Sequence, residues 1–536
     1  MNTLEKYLKK FPNFFINRNI NNIESINDFI SPPESWIEDP FLFKSMDITV
    51  DRILSNPKNN PILIHGDCDA DGVSACAVLN KYLTNIGYNI HYYIPNRSSE
   101  GHSMSLKAID FAKSIGSDLI ITCDLGMSCF DEIEYANNKG LDVIITDHHK
   151  ASDLTPKAYS IINPWLDSNK DLPFKEYSGS GVAFKLCHAI NIRLSLDLDL
   201  LYELMEIAMV GIISDKVPIL KENRLITYNG HLMMLKGNNL GLKILNKSIA
   251  RKSVNINKII KIINMLTKIE DSSIGVKLLS TNNMVQATKY VNSSLKSFYK
   301  NNSQFNNSIQ NAIRQVHTQK YLDNKFIFII SEFDSAYNGA IANILSIKFK
   351  VPTIVISKNK DYYKGSCRSI EGADILSFIE SQKELFFSYG GHPMASGFVI
   401  HKDKIKELKS ELIKFISNID FSNSIKANNC DGIIYFKDID DDFIRFFDKF
   451  LPYGKNNNAP KFIAKGVRII GKPNIFGKNN DSIKFKLVQN NIDFNAIGFG
   501  LINKFEKLIT KDKFDIEFRI SKDINNKVLL DIYDIK

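Results

Sequence analysis

Four short apolar runs, each closed by an aspartate, limit what this chain can fold into. They are PILIHGD (61–67), DLIITCD (118–124), DVIITD (142–147) and VGIISD (210–215). Runs this short and this rich in Ile and Val predict buried strands of a parallel sheet. The stretches between them, such as VSACAVLNKYLTNIG (73–87) and CFDEIEYANNKG (129–140), have helical spacing. Alternating strand and helix predicts a doubly wound α/β domain, in which ligands bind outside the carboxyl ends of the strands. The acid-bearing ends would then converge on one rim. The fourth run fits the end of a helix equally well, because EIAMVGII satisfies both periods.

The rest of the chain has a different texture. At about 100–200 residues per domain, 536 residues suggest three or so domains. From about 245 to 320 the sequence is polar, Asn- and Lys-rich and helical in period, which predicts a connector. FIFIISE (326–332) and PTIVIS (352–357) predict strands around a helix, IANILSIKF (341–349), a second α/β unit. From near 430, segments such as FIAKGVRIIGKP, DSIKFKLVQ and FDIEFRIS alternate with period two between turn residues, and predict a small antiparallel barrel.

Composition excludes several classes. With 44% hydrophobic and 24% charged residues the chain is neither disordered nor collagen-like. Its seven cysteines form no CxxC pair and are odd in number, which argues against a zinc ribbon or disulfide framework and for a reducing, cytoplasmic setting. No apolar run approaches the ~18–20 residues that span a bilayer, and the start, MNTLEKYLKKFPNFF, does not read as a signal peptide. A net charge of +9 is a mild basic bias, compatible with a nucleic-acid partner.

In HGDCDADG (65–72), His65, Asp67, Asp69 and Asp71 occupy alternate positions, so an extended segment would put them on one side. Carboxylates crowded this way repel unless cations neutralise them, and an oxygen-rich set with imidazole suits manganese or magnesium. A solvated acidic loop is the plain alternative for the motif alone. Asp124 after the second run, Asp147-His148-His149 after the third and Asp215 closing the fourth bring six strand-end acids and three histidines to the rim. Adjacent histidines at a strand end point to different sides, so at most one easily ligates an ion beside its neighbours.

Together HGDCDADG, CDLGMS (123–128), TDHH (146–149) and IISDKVP (212–218) resemble the DHH phosphoesterase superfamily, in its motif order and approximate spacing. The resemblance implies two divalent ions, Mn2+ or Mg2+. His65, Asp69 and Asp124 would hold one, and Asp71, Asp124, His148 and Asp215 the other, with Asp124 bridging. Asp67 and Asp147 would give support, Asp147 by fixing the His148 ring, and His149 would face the substrate phosphate. Such a pair of ions activates water and stabilises attacking and leaving oxygens, with no covalent enzyme intermediate.

Length and further segments, among them DPFLFKSMDITVDRI (39–53), IPNRSSEG (94–101), SGSGVAFKL (178–186), SYGGHPMASGF (388–398) and LPYGKNNNAPKF (451–462), resemble the superfamily's long single-strand exonucleases. The fold then expected is α/β: an N-terminal helical lead-in (1–48), a DHH-type parallel-sheet domain (49–245), a helical connector (246–322), a smaller DHH-associated α/β domain (323–422) and a C-terminal OB-like β-barrel (423–536). The activity implied is metal-dependent 5′→3′ hydrolysis of single-stranded DNA to mononucleotides in recombination and repair. Arg97, Ser366 and Arg368 would form the pocket for the 5′-phosphate, with Gly391 and His392 reaching the nucleotide. A RecQ-type helicase and a single-strand-binding protein are the implied partners, and a monomer is the family expectation. On the barrel, Lys461, Lys465, Arg468, Lys472 and Phe485 offer basic and aromatic groups for a single strand, with none singled out. The rival functions are a phosphodiesterase for short oligonucleotides or cyclic dinucleotides, and an inactive scaffold. Two departures from the family pattern stand out: Gly101-His102-Ser103 where Gly-Tyr-Gly is usual, and Ala336-Tyr337 where a Trp-His pair is usual.

Overall fold

The computed structural model describes residues 3–97, 100–101, 103–150, 154–250, 254–268, 271–318, 325–370, 372–417, 419, 430–477, 482–508, 512–523 and 527–536. His102 and the expected domain boundaries at 322 and 422 lie outside the described residues. The chain divides into two compact units, one of residues 1–295 with 429–536 and one of residues 296–428. Among the described residues no helix is long and apolar enough to cross a membrane.

The first unit is built around five parallel strands, β1 (Ile62–Gly66), β2 (Ile90–Tyr93), β3 (Leu119–Cys123), β4 (Asp142–Thr146) and β5 (Ser160–Ile162). Their order is β2-β1-β3-β4-β5, and every pairing is parallel. β1 and β3 are buried along their whole length, which is why they read as short unbroken apolar runs. The chain reverses its direction of travel across the sheet between β1 and β3, so the crevice for a ligand opens at their carboxyl ends. The fourth apolar run is not a strand. It is the last turn of the Asp199–Ser214 helix, which packs on the Ala70–Asn85 helix.

In the same unit, β11 (Gly432–Ile433), β12 (Phe462–Phe476), β13 (Ser482–Gln489), β14 (Ile492–Gly498), β15 (Phe514–Lys522) and β16 (Val528–Ile535) form one sheet in the order β11-β12-β13-β14-β16-β15. Pairing of β12 with β15 closes it into a five-stranded barrel. The barrel is not wholly antiparallel as expected, because β14 and β16 run parallel. The N-terminal segment is helical and packs on the barrel. Tyr7, Phe11, Phe14 and Phe15 pack among Phe443, Phe446, Phe447, Phe450 and Phe462 in one core with the barrel. Phe485 belongs to that core, 6% exposed, and so cannot stack on a strand of DNA. Lys461 pairs with Glu517 (2.8 Å), while Lys465, Arg468 and Lys472 are exposed.

The second unit carries β6 (Ile327–Ser331), β7 (Thr353–Ser357), β8 (Tyr362–Arg368), β9 (Phe386–His392) and β10 (Ala395–His401) in the order β6-β7-β8-β10-β9. Only β6 and β7 pair in parallel. The Asn338–Phe349 helix connects β6 to β7, as the sequence predicts. The connector is helical too, ending in one helix from Met284 to Thr318.

Candidate metal centre

Each acid of the rim is placed by a different local device. Asp67 follows β1, and its N–H donates to the Cys123 carbonyl (3.1 Å), which ties the end of β1 to that of β3. Asp69 is the N-cap of the Ala70–Asn85 helix and accepts from the N–H groups of Asp71 (2.8 Å) and Gly72 (3.1 Å). Asp71, in the first turn and fully buried, is gripped by a second helix N-terminus. Its carboxylate accepts from Gly179 N–H (2.7 Å), Ser180 N–H (2.9 Å) and the Ser178 hydroxyl (3.1 Å). Asp124 follows β3 in the left-handed region (φ 64°), its N–H bonded to the Thr146 carbonyl (2.9 Å). Asp215 ends the Asp199–Ser214 helix.

His148 sits among these acids. Its Nε2 lies 3.0 Å from Asp124 Oδ1, 3.7 Å from Asp215 Oδ2 and 3.9 Å from Asp71 Oδ2. Three ligand-atom groups can each be drawn within 4.8 Å: Asp67, Asp69 and Asp124; Asp71, His148 and Asp215; and Asp124, His148 and His149. Asp124 thus belongs to two of the three groups, as expected of a residue shared by both ions.

Two expectations change. His65 is in none of these groups, because its Nε2 accepts from Ser105 N–H (2.9 Å) while Nδ1 faces the Gly66 carbonyl (3.2 Å). Asp67 takes its place beside Asp69 and Asp124. Asp147 does not fix the His148 ring. Its Oδ1 accepts from His149 Nδ1 (2.8 Å) and from the backbone N–H groups of His148 (2.7 Å) and His149 (3.1 Å). The His148 ring instead hydrogen-bonds the backbone at Tyr177.

The electrostatics are those of an anionic hole. Burial, then repulsion from neighbouring acids, pushes the carboxyl of Asp69 up to about 6, that of Asp215 up to about 7, and that of Asp124 well above the usual range. Burial opposes the charge of Asp147 as well, but the bonds from His149 hold it below the usual range. That same pairing raises His149, whose side chain is 61% exposed, to about 9. Asp124 Oδ1 and His148 Nε2 are both buried, and among the described residues neither has a hydrogen-bond partner. Orphaned donor atoms facing each other across a cluster of acids fit a divalent cation, and the oxygen-rich set with imidazole suits manganese or magnesium.

Sequence reasoning assigned no role to the Ser178–Ser180 turn that holds Asp71. Its signal was present in two glycines of the site. A Cβ at Gly179 would stand 2.4 Å from Asp124 Cβ, and one at Gly211 would stand 2.2 Å from Asp71 Oδ1 and Ser180 Oγ. Because Asp71 is pinned by three donors, Gly211→Ala is expected to cost about 1–3 kcal/mol by overpacking, read as a lower melting temperature in chelator.

Arg97 lies in a turn after β2, its N–H bonded to the Thr267 carbonyl (3.1 Å). The remaining expected substrate residues belong to the second unit and gather at one end of its sheet. Arg368, Ala395 and His392 align across β8, β10 and β9, as do Ser366, Gly397 and Gly390. Gly391 (φ 138°), within β9, permits the close approach of β10, since a Cβ there would meet the Ala395 carbonyl at 2.5 Å. Tyr337, one of the residues departing from the family pattern, lies in a short turn before the Asn338–Phe349 helix.

Comparison with known proteins agrees with this architecture. Residues 61–212 match the DHH family N-terminal domain, 323–418 the DHHA1 domain and 430–528 the RecJ OB domain. The chain is 29% identical over 495 residues to the single-stranded-DNA-specific exonuclease RecJ of Bacillus subtilis, covering 90% of this chain and 62% of that protein. To the Escherichia coli RecJ it is 29% identical over 373 residues, 64% of each chain. The chain thus spans somewhat under two thirds of the length of these relatives. A crystal structure of RecJ from Thermus thermophilus in complex with Mn2+ superposes with a TM-score of 0.79 at 20% identity, over 100% of this chain and 78% of that one. The fold is therefore shared.

Proposed function

We propose, from the matches to the DHH N-terminal, DHHA1 and RecJ OB domains in that order along the chain, that it is a metal-dependent 5′→3′ exonuclease that hydrolyses single-stranded DNA to mononucleotides. The observation that carries this reading is the shared donor Asp124. Its orphaned, buried Oδ1 stands 3.0 Å from His148 Nε2, between two groups of acids. Asp67, Asp69 and Asp124 would hold one divalent ion, and Asp71, Asp124, His148 and Asp215 the other. Bound there, manganese or magnesium would lower the pKa of a water and offset charge on the phosphoryl oxygens. The chain supplies the rest. The Ser178–Ser180 donors fix the aim of Asp71, and Asp147 fixes the ring of His149. With its Nδ1–H donated in a hydrogen bond to the Asp147 carboxylate, a doubly protonated His149 keeps an Nε2–H for a phosphoryl oxygen. No side chain acts as a nucleophile.

We assign Arg97, in the first unit, to the 5′-phosphate of the strand, and Ser366, Arg368, Gly391 and His392, in the second unit, to the binding of substrate DNA. A guanidinium suits a terminal phosphate because its planar donors bind two oxygens at once. Arg97→Ala is expected to reduce the preference for 5′-phosphate over 5′-hydroxyl ends by about tenfold or more, the worth of one charged hydrogen bond of about 1.5–3 kcal/mol. Competition kinetics on the two substrates measures it. A helicase and a single-strand-binding protein are the partners such an activity calls for, in the cytoplasm.

The test of the function uses a long 5′-phosphorylated strand labelled at its 3′ end, alone and as a duplex, with manganese or with chelator. Shortening of the single strand from its 5′ end, stopped by chelator, is the expected result. An intact long strand beside rapid cleavage of a dinucleotide would replace the reading with a small-substrate phosphodiesterase, and no cleavage of either would leave a scaffold.

A further inference from the structure

Behind the rim lies a charge pair that the mechanism does not use. The side chains of Lys185 and Glu222 are 0% exposed, with Lys185 Nζ 3.0 Å from Glu222 Oε1 and 3.3 Å from Oε2. Lys185 also donates to the Glu38 carbonyl, and Glu222 Oε2 accepts from Glu38 N–H (3.3 Å) and from the Tyr177 hydroxyl (2.7 Å). A buried ion pair of this kind is a poor source of stability, since well-packed apolar residues often serve as well or better. Its position offers another reason for it.

Tyr177 is 2% exposed and packs against Phe174 and Phe43. Its backbone bonds the His148 ring, and the next three residues supply every donor that grips Asp71. Glu222 stands seven residues after Asp215, and its neighbour Asn223 donates to the carbonyls of Glu176 (2.6 Å) and Pro218 (3.0 Å). One carboxylate thus ties together the turn that orients Asp71 and His148 and the segment that leaves Asp215. Those three residues form one complete ligand group.

We propose that Glu222, held by Lys185, is a positioning residue for the metal centre, acting through the Tyr177 hydroxyl on Asp71, His148 and Asp215; this rests on the metal reading above. The predicted consequence is a separation of fold from metal affinity. The variant Lys185→Met/Glu222→Leu removes both charges together and leaves no acceptor for Tyr177. The variant Lys185→Met/Glu222→Gln removes the charges but keeps an acceptor in place.

Calorimetric titration of the full chain with Mn2+ reads the affinity, and thermal melting in chelator reads the fold. The Leu variant is expected to fold and melt a few degrees below the parent, since Tyr177 and Glu38 lose partners, and to bind Mn2+ about tenfold more weakly, the low end of what outer-shell partners of metal ligands are worth. The Gln variant is expected to stay within about threefold of the parent, because the acceptor persists. Parental Mn2+ affinity in the Leu variant, or equal loss in both variants, would overturn the proposal. If the Leu variant does not fold, Tyr177→Phe decides. A loss of about fivefold supports the proposal and no loss overturns it. A parent chain that binds no Mn2+ would instead sink the metal reading itself.

Discussion

Asp124→Asn is expected to melt higher than the parent in chelator, lower than the parent in manganese, and to lose DNA cleavage by about a thousandfold or more. All three outcomes follow from where the carboxylate sits. Asp124 is 3% exposed among Asp67, Asp69, Asp71 and Asp147, and burial with their charge opposes its ionisation. An amide of the same shape relieves that repulsion, worth about 1–4 kcal/mol per close like-charge contact at intermediate dielectric. Asparagine also tolerates the left-handed backbone at this position, so the substitution tests charge without adding strain. Two manganese ions, each at about 1,000 times its dissociation constant, stabilise the parent by about 4.1 kcal/mol apiece, which outweighs that relief, and the variant by far less. The order of the two melting temperatures should therefore invert on adding metal. Scanning calorimetry with and without manganese reads it, and an order that stays the same would remove Asp124 from the metal centre.

Arg224→Met has the opposite character, with large damage to the fold and none to the chemistry. The Arg224 guanidinium is fully buried and donates to four carbonyls: Phe29 (2.9 Å), Lys449 (3.1 Å), Phe450 (3.1 Å) and Leu451 (2.8 Å). It joins the N-terminal helices, the Lys221–Lys236 helix and the chain before the barrel. Methionine fills similar space but leaves those carbonyls without their donors. The expected loss is about 3–5 kcal/mol, a fall of about 4–6 °C in melting temperature at this size. Specific activity of the folded fraction at low temperature should match the parent. A melting temperature within a degree or two would show that the carbonyls find other partners.

The sequence announced the rim better than its geometry. β1, β3 and β4 were legible because a buried parallel strand is a short apolar run, and the acid ending each run is where the crevice opens. The Asp199–Ser214 helix was ambiguous because it is buried on almost every side, so no polar stripe marks its period. The reading of HGDCDADG as one extended stretch broke at Gly66, where β1 ends, and at Ala70, where a helix begins. After that point alternate positions no longer share a side. His65 therefore stays with the strand, while Asp69 and Asp71 turn with the helix. The grip of Ser178–Ser180 on Asp71 was hidden for another reason. The partners are over a hundred residues apart, and nothing local in SGSG says what it holds. Arg224, an ordinary residue in KENRLITY, was silent in the same way.

The shared core of the N-terminal helices and the barrel bears on how the chain is made. Arg18 donates to Asn457 Oδ1 (2.7 Å) across 439 positions, and Phe14 packs on Phe447 and Phe450. A ribosome adding about 5–20 residues per second releases Phe11, Phe14 and Phe15 roughly 20–90 s before their partners exist. Through that interval the nascent chain carries an uncovered aromatic cluster while the parallel sheet assembles behind it. Synthesis is thus a race between the arrival of the barrel residues and the capture of the aromatic cluster around Phe14 by a chaperone or another nascent chain.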